Sequence, residues 1–182
     1  MEAIRTDAGL LWSGHVSPAL CLDLDGTIRR SKSGKPFIEG PEDIELFPDV
    51  EAKIMAYRDD GWMIFGVSNQ GGVAHGFKTS EQVMAELDAT IALFKENPFH
   101  IVKLCYHDAA GSVFPYNKRS LLRKPSYGML ALMEAEAFDY GYLIDWDNSL
   151  FIGDRVEDAE CAVSAGIPFK TADDFFERSV AG

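Results

Sequence analysis

Five short apolar runs are spaced along this chain: "ALCLDL" (19–24), "WMIFGV" (62–67), "HIVKLCY" (100–106), "SLFIG" (149–153) and "IPFK" (167–170). Each has the length and side chains of a buried strand. The segments between them are punctuated as helices. "PDVEAKIMAYRDDG" opens on Pro-Asp and closes on Gly61. "TSEQ" reads as a capping box, Thr79 at the N-cap and Gln82 at N3, and predicts a helix to about Lys95. "SYGMLALMEAEAF" is amphipathic, with Ser126 as its N-cap. "RVEDAECAVSAG" is closed by Gly166, and "ADDFFER" predicts a last helix. Strand and helix in alternation fold as an α/β sandwich around a mainly parallel sheet.

At 182 residues the chain suits one domain, expected over 18–182, with 1–17 as an N-terminal arm that lacks periodicity. No apolar run approaches the ~20 residues of a membrane span. Glu2, Arg5 and Asp7 do not make a signal-peptide pattern. Cys21, Cys105 and Cys161 are too scattered for a disulfide framework, so a reduced, cytoplasmic protein away from membranes is expected. The net charge of −12 disfavours binding along a nucleic-acid backbone. The GxxxxGK[ST] loop of a kinase is missing.

In open parallel sheets, ligands bind beyond the carboxyl ends of the strands. The residues there are Asp23 and Asp25, then Ser68-Asn69-Gln70-Gly71-Gly72, then Cys105-Tyr106-His107, then Gly153-Asp154-Arg155. Arg123-Lys124-Pro125 precedes a helix and joins the same rim. Asp23 and Asp25 point the same way from one strand. At ~6.6 Å and an effective dielectric of ~20 they repel by roughly 2.5 kcal/mol. With Asp154 added, the set needs a cation, and oxygen-rich sites of this kind suit Mg2+. Ser68, the glycine-rich turn after it and Lys124 supply the donors and charge of a phosphoryl site. One carboxylate can attack phosphorus while its neighbour handles the proton. Asp23 and Asp25 are that pair.

The motifs "DLDGT", "SNQGG", "RKP" and "GDRVED" stand in the order and spacing of the haloacid dehalogenase (HAD) superfamily, and over Ala19–Phe169 the chain resembles its phosphatases. The resemblance implies a Rossmann-like three-layer sandwich. It implies Asp23 as nucleophile, Asp25 as general acid and base, Ser68 and the Asn69 amide on the phosphoryl group, and Lys124 as the neutralising charge. Mg2+ would be held by Asp23, the backbone carbonyl of Asp25 and Asp154. Asp158 would support a metal-bound water or be an ordinary surface aspartate.

Only about twenty residues, Ile28 to Pro48, remain for a flap, so no large cap domain is expected. The capless group it resembles includes histidinol-phosphate phosphatase, heptose-bisphosphate phosphatase and the phosphatase domain of polynucleotide kinase/3′-phosphatase. "DLDGTIRRSKSGKPFIEGPEDIELFPDV" is similar to the last of these; "YHDAAGSV" and "RKPSYGML" are similar to the heptose-bisphosphate enzyme. In that enzyme Cys-x-His pairs with Cys-x-Cys around zinc. Here Cys105 and His107 meet only Ser120 and Leu122, and two ligands of four do not close a zinc site. His75 stands in "GVAHG" where that group carries arginine. Two basic clusters, Arg29-Arg30-Lys32-Lys35 and Lys118-Arg119-Arg123-Lys124, are expected to border the pocket, with Arg29, Arg30, Asn69 and Arg123 as substrate contacts. The expected substrate is a phosphorylated sugar or metabolite, or a 3′-phosphorylated polynucleotide end. The alternatives are a phosphotransferase or a noncatalytic phosphate-binding protein on the same fold.

Overall fold

The computed structural model describes residues 14–178 and the backbone of Ile4–Arg5 (β1) and Leu11–Trp12 (β2), an antiparallel pair. Then follow β3 (His15–Ser17), β4 (Ala19–Leu22), β5 (Arg29–Ser31), β6 (Ile44–Leu46), α1 (Val50–Asp59), β7 (Met63–Asn69), α2 (Ser80–Ala92) and β8 (Ile101–Cys105). The chain continues through α3 (Gly128–Asp139), β9 (Tyr142–Ile144), β10 (Leu150–Gly153), α4 (Val156–Ala165), β11 (Phe169–Thr171) and α5 (Ala172–Phe176).

The five apolar runs form one sheet in the order β11-β10-β4-β7-β8, with every pairing parallel. Side chains alternate across it. Ala19 and Cys21 of β4 pack with Met129, Met133, Cys161 and Ala162 of α3 and α4. Leu20 and Leu22 pack on the other face with Val50, Ile54, Leu87 and Phe175 of α1, α2 and α5. The result is the expected three-layer α/β sandwich, with β4 buried at the sheet centre. Its carboxyl end leads directly into Asp23 and Asp25.

Between β4 and α1 the chain forms only the antiparallel hairpin β5–β6 and a short turn at Pro41–Asp43. Among the described residues, no large cap covers the sheet edge. The last residues of the expected arm, His15–Ser17, pair in parallel with β9, and the His15 ring lies 5.7 Å from Tyr142. The rest of the arm lies outside the described residues apart from β1 and β2. Among the described residues, no helix is long and apolar enough to cross a membrane.

Two helix ends differ from expectation. Helix α2 stops at Ala92, where Leu93 and Phe94 tighten onto the Thr90 and Ile91 carbonyls and Phe94 turns into the core. Helix α3 is preceded by Tyr127 without a side-chain cap, so Ser126 is not its N-cap. The Ser126 N–H closes a turn on the Arg123 carbonyl, and a Cβ at Gly128 would collide with the Leu121 carbonyl. That turn faces Lys124 inward.

Candidate active site

Asp23 follows β4 directly, and its N–H donates to the Ile152 carbonyl at 3.0 Å. The residue is buried. Its Oδ1 accepts from Lys124 Nζ at 2.6 Å; the same ammonium donates to the Val67 carbonyl at 2.8 Å and lies 2.6 Å from Asp158 Oδ1. Lys124 is therefore set between two carboxylates at the base of the site. Its own backbone is clasped by the Asn69 side chain, which donates to the Lys124 carbonyl and accepts from the Lys124 N–H, both at 3.0 Å.

Burial pushes the Asp23 carboxyl up to about 7, against the pull of Lys124 and with a further push from Asp158. Burial works against the Lys124 ammonium, but Asp23 and Asp158 outweigh it and hold its pKa above the usual range. Burial also raises Asp154, partly offset by Arg155. Oxygens of Asp23, Asp154 and Asp158 lie within 4.8 Å of one another. Three carboxylates against one ammonium leave an excess of negative charge, and this donor set fits a hard divalent cation such as Mg2+.

Two glycines permit the convergence. Gly26 has φ +87, and a Cβ there would run into the Asp154 carboxylate. A Cβ at Gly153 would run into Asp158, which is buried and accepts from the Arg155 N–H at 3.0 Å. The surface alternative for Asp158 is thereby excluded.

Asp25 is held differently. Arg29 Nε donates to its Oδ1 at 2.8 Å; Oδ2 accepts from Arg29 Nη2 at 3.3 Å and from Gln70 Nε2 at 2.7 Å. Burial raises this carboxyl, but the Arg29 and Gln70 contacts outweigh it and bring the net pKa below the usual range. Gln70 Nε2 also donates to the Ser68 hydroxyl at 2.9 Å, which leaves the Ser68 proton free to donate.

A model of the polynucleotide kinase 3 phosphatase family matches residues 19–176. The chain belongs to that family. It is a phosphatase of the HAD superfamily. It is 32% identical over 151 residues, 81% of this chain and 74% of the relative, to D-glycero-D-manno-heptose-1,7-bisphosphate 7-phosphatase of Chlorobaculum tepidum. It is 29% identical to D-glycero-beta-D-manno-heptose-1,7-bisphosphate 7-phosphatase of Rhodopseudomonas palustris, over 83% of this chain and 81% of that one. Among solved structures, a HAD-like protein from Mesorhizobium loti superposes with a TM-score of 0.69 at 27% identity, covering 91% of this chain and 75% of that one. The fold is also that of a D,D-heptose 1.7-bisphosphate phosphatase from B. bronchiseptica complexed with magnesium and phosphate (TM-score 0.65, 21% identity, 84% and 78% coverage).

Within this HAD phosphatase, the expected basic rim is partly neutralised; Lys32, Lys118 and Arg119 remain exposed, Lys32 on the Glu42 carbonyl and Lys118 over the Phe114 ring. Arg29 is not at the rim at all: it is 1% exposed and turned inward onto Asp25. Period-two alternation on β5 turns Arg29 in and Arg30 out. Arg30 is exposed but pairs with Glu45 at 2.6 Å and lies 5.0 Å over the Phe47 ring. Lys35 pairs with Glu39 at 2.5 Å. Arg123 meets Asp108 at 3.0 Å and the His107 carbonyl at 3.0 Å, and His75 reaches the same Asp108 at 3.4 Å. Cys105 is buried, and the His107 ring stands edge-on to Tyr116 at 5.6 Å.

Four residues of this neighbourhood went unread in the sequence. Gln70 was legible only as one polar letter of "SNQGG". Glu86 and Thr90, on α2, carried no signal of the buried arginine they receive. Far down the chain, Arg178 donates to the Gly26 and Thr27 carbonyls and stacks 3.9 Å over Phe47, fastening the turn beside Asp154.

Proposed function

We propose that this protein is a Mg2+-dependent phosphomonoesterase that works through an aspartyl-phosphate on Asp23, with a small phosphorylated sugar or related metabolite as substrate. The observation that carries the reading is the buried Asp23 carboxylate at 2.6 Å from Lys124 Nζ, with a second, hydrogen-bonded carboxylate two residues away. Asp23 and Asp154, with the Asp25 backbone carbonyl, would hold the metal. When bound, Mg2+ supplies positive charge toward the phosphoryl oxygens and the Asp23 carboxylate.

In the first half-reaction Asp23 attacks phosphorus, the ester P–O bond breaks, and Asp25, from the minor protonated form that its lowered pKa leaves, gives its proton to the departing oxygen. Ser68 donates its hydroxyl to a phosphoryl oxygen, and Lys124 offsets the charge shared by Asp23 and the phosphoryl group. In the second, water bonds to phosphorus, its proton passes to Asp25, and the Asp23–phosphorus bond breaks. Alcohol and phosphate are released and both carboxyl groups are restored.

The curated relatives support the sugar-phosphate substrate, and the pairing of Arg30, Lys35 and Arg123 with carboxylates reduces the positive charge offered to a polyanion, although Lys32, Lys118 and Arg119 stay exposed. A second reading, the 3′-phosphorylated polynucleotide end, draws on the family match and on the exposed rings of Phe37, Phe77 and Phe114, all on segments that follow strand ends and could stack bases. The deciding experiment compares phosphate release from heptose 1,7-bisphosphate and from a 3′-phosphorylated oligonucleotide, with Mg2+, for wild type and Asp23→Asn. Release by wild type and its loss in Asp23→Asn are expected. Full turnover by Asp23→Asn would sink the nucleophile assignment. Phosphate passed to an added alcohol would mark a phosphotransferase, and binding without turnover a noncatalytic protein.

A further inference from the structure

Arg29 heads the fully buried side chains of the described residues by volume. Burying a guanidinium costs several kcal/mol unless its donors are used. Here they are used at both ends. Nη1 donates to Thr90 Oγ1 at 2.6 Å and to the Glu86 carbonyl at 3.2 Å, while the Thr90 hydroxyl donates to that same carbonyl at 2.7 Å. Nε and Nη2 fork onto the two oxygens of Asp25. A planar fork constrains the rotation of a carboxylate, which a lysine point charge does not. Gln70 then adds a third donor to the same group. Asp25 keeps one open edge, its side chain 35% exposed.

We propose that Arg29 is the positioning residue for Asp25: braced on α2 through Thr90 and the Glu86 carbonyl, it fixes the plane of the carboxylate that gives and takes the proton. This rests on the aspartyl-phosphate mechanism proposed above. Its consequence is that helix α2, which contributes none of the three clustered carboxylates, sets the geometry of proton transfer. Loss of Arg29 frees the Asp25 carboxylate to rotate while Asp23, Lys124, Asp154 and Asp158 keep their contacts.

The test separates proton-dependent from proton-independent chemistry, with Mg2+ present throughout. p-Nitrophenyl phosphate releases a stable anion without a proton; glycerol 2-phosphate releases an alkoxide that needs one. In stopped flow, Arg29→Met should keep the nitrophenol burst within about threefold of wild type, because attack by Asp23 is untouched. Its formation of phosphoenzyme from glycerol 2-phosphate should fall about 10²- to 10³-fold, the usual weight of general acid catalysis. Its steady state on the aryl ester should slow as well, with labelled phosphate accumulating on Asp23. Arg29→Lys should recover only part of the loss. Thr90→Val, nearly isosteric, should show the same pattern more weakly.

Equal losses in phosphoenzyme formation from the two esters would reduce Arg29 to a structural role and overturn the proposal, as would an unchanged rate of that step with glycerol 2-phosphate. Should Arg29→Met not fold, Arg29→Lys and Thr90→Val decide: wild-type behaviour of both on the alkyl ester overturns it. Wild type that turned over yet never carried label on Asp23 would be a different failure, that of the aspartyl-phosphate reading, and would take the proposal with it.

Discussion

Asp23 combines a requirement for ionisation with a site that resists it. Burial lifts its carboxyl to about 7 even with Lys124 beside it. A carboxyl whose folded pKa lies above its unfolded value of ~4 holds its proton more tightly in the fold. Its stabilising contribution is therefore complete below pH ~4 and lost as pH rises through about 7. The cost reaches roughly 4 kcal/mol at most. Asp23→Asn removes it, so in the presence of a chelator the variant should melt above wild type by a margin that widens from pH 5 to pH 8. Added Mg2+ should raise the melting temperature of wild type far more than that of the variant. A margin that does not change with pH, followed by circular dichroism, would show that Asp23 is not a strained charge. At this scale the sequence was most legible where chemistry coincides with a strand end: Asp23, Asp25 and Asp154 stand where the alternation of strands and loops puts them. Arg29 was misread because a basic letter in a flap discloses its charge but not its direction. Only the β5 register, three residues long with no apolar pattern to anchor it, turns it inward.

Elements position these groups through close packing of backbone against side chain. The end of β10 passes so near α4 that Gly153 has no room for a methyl group beside Asp158. Gly153→Ala should displace Asp158 from the Arg155 N–H and from Lys124, destabilise the protein by about 1–3 kcal/mol, and lower kcat at least tenfold. Gly72→Ala, where nothing lies within 4 Å of the added carbon, is the control for stability and should melt like wild type. Chemical denaturation of both variants checks the contrast; equal effects would mean that Asp158 can shift at no cost. A milder loss, about 1 kcal/mol, is expected for Thr79→Ala, because the Thr79 hydroxyl and the Gln82 side chain cap α2 reciprocally. That cap, Gly166 in its left-handed turn and all five sheet strands were readable from local pattern. The start of α3 was not, because the turn that delivers Lys124 overrides the capping preference of Ser126. The pairs β3–β9 and β5–β6 are three residues long and too mixed in polarity to register as strands.

Over the whole molecule, charge is arranged to limit what can dock. The protein carries −12 overall, and in the basic clusters that looked like an anion funnel Arg30, Lys35 and Arg123 are met by Glu45, Glu39 and Asp108. Pairing across a solvent-exposed hairpin contributes little to stability, so its effect should lie in selection. With Arg30 and Lys35 occupied, a phosphorylated sugar loses little, since on the proposed mechanism its reacting phosphate would be served by Ser68 and Lys124 below. A polynucleotide loses more, since its further phosphates would have to draw those side chains from carboxylates. Glu39→Gln combined with Glu45→Gln releases both cations without disturbing the core. The double variant should bind a 3′-phosphorylated oligonucleotide more tightly at low salt, with the logarithmic salt slope steeper by about 0.7 for each freed cation that reaches a phosphate. Turnover of heptose 1,7-bisphosphate should stay within about twofold, as expected of surface changes remote from the reacting groups. Fluorescence anisotropy across a salt series measures the slope. A wild-type slope already steep, and unchanged in the double variant, would show that these ion pairs open freely and that the rim exerts no such selection.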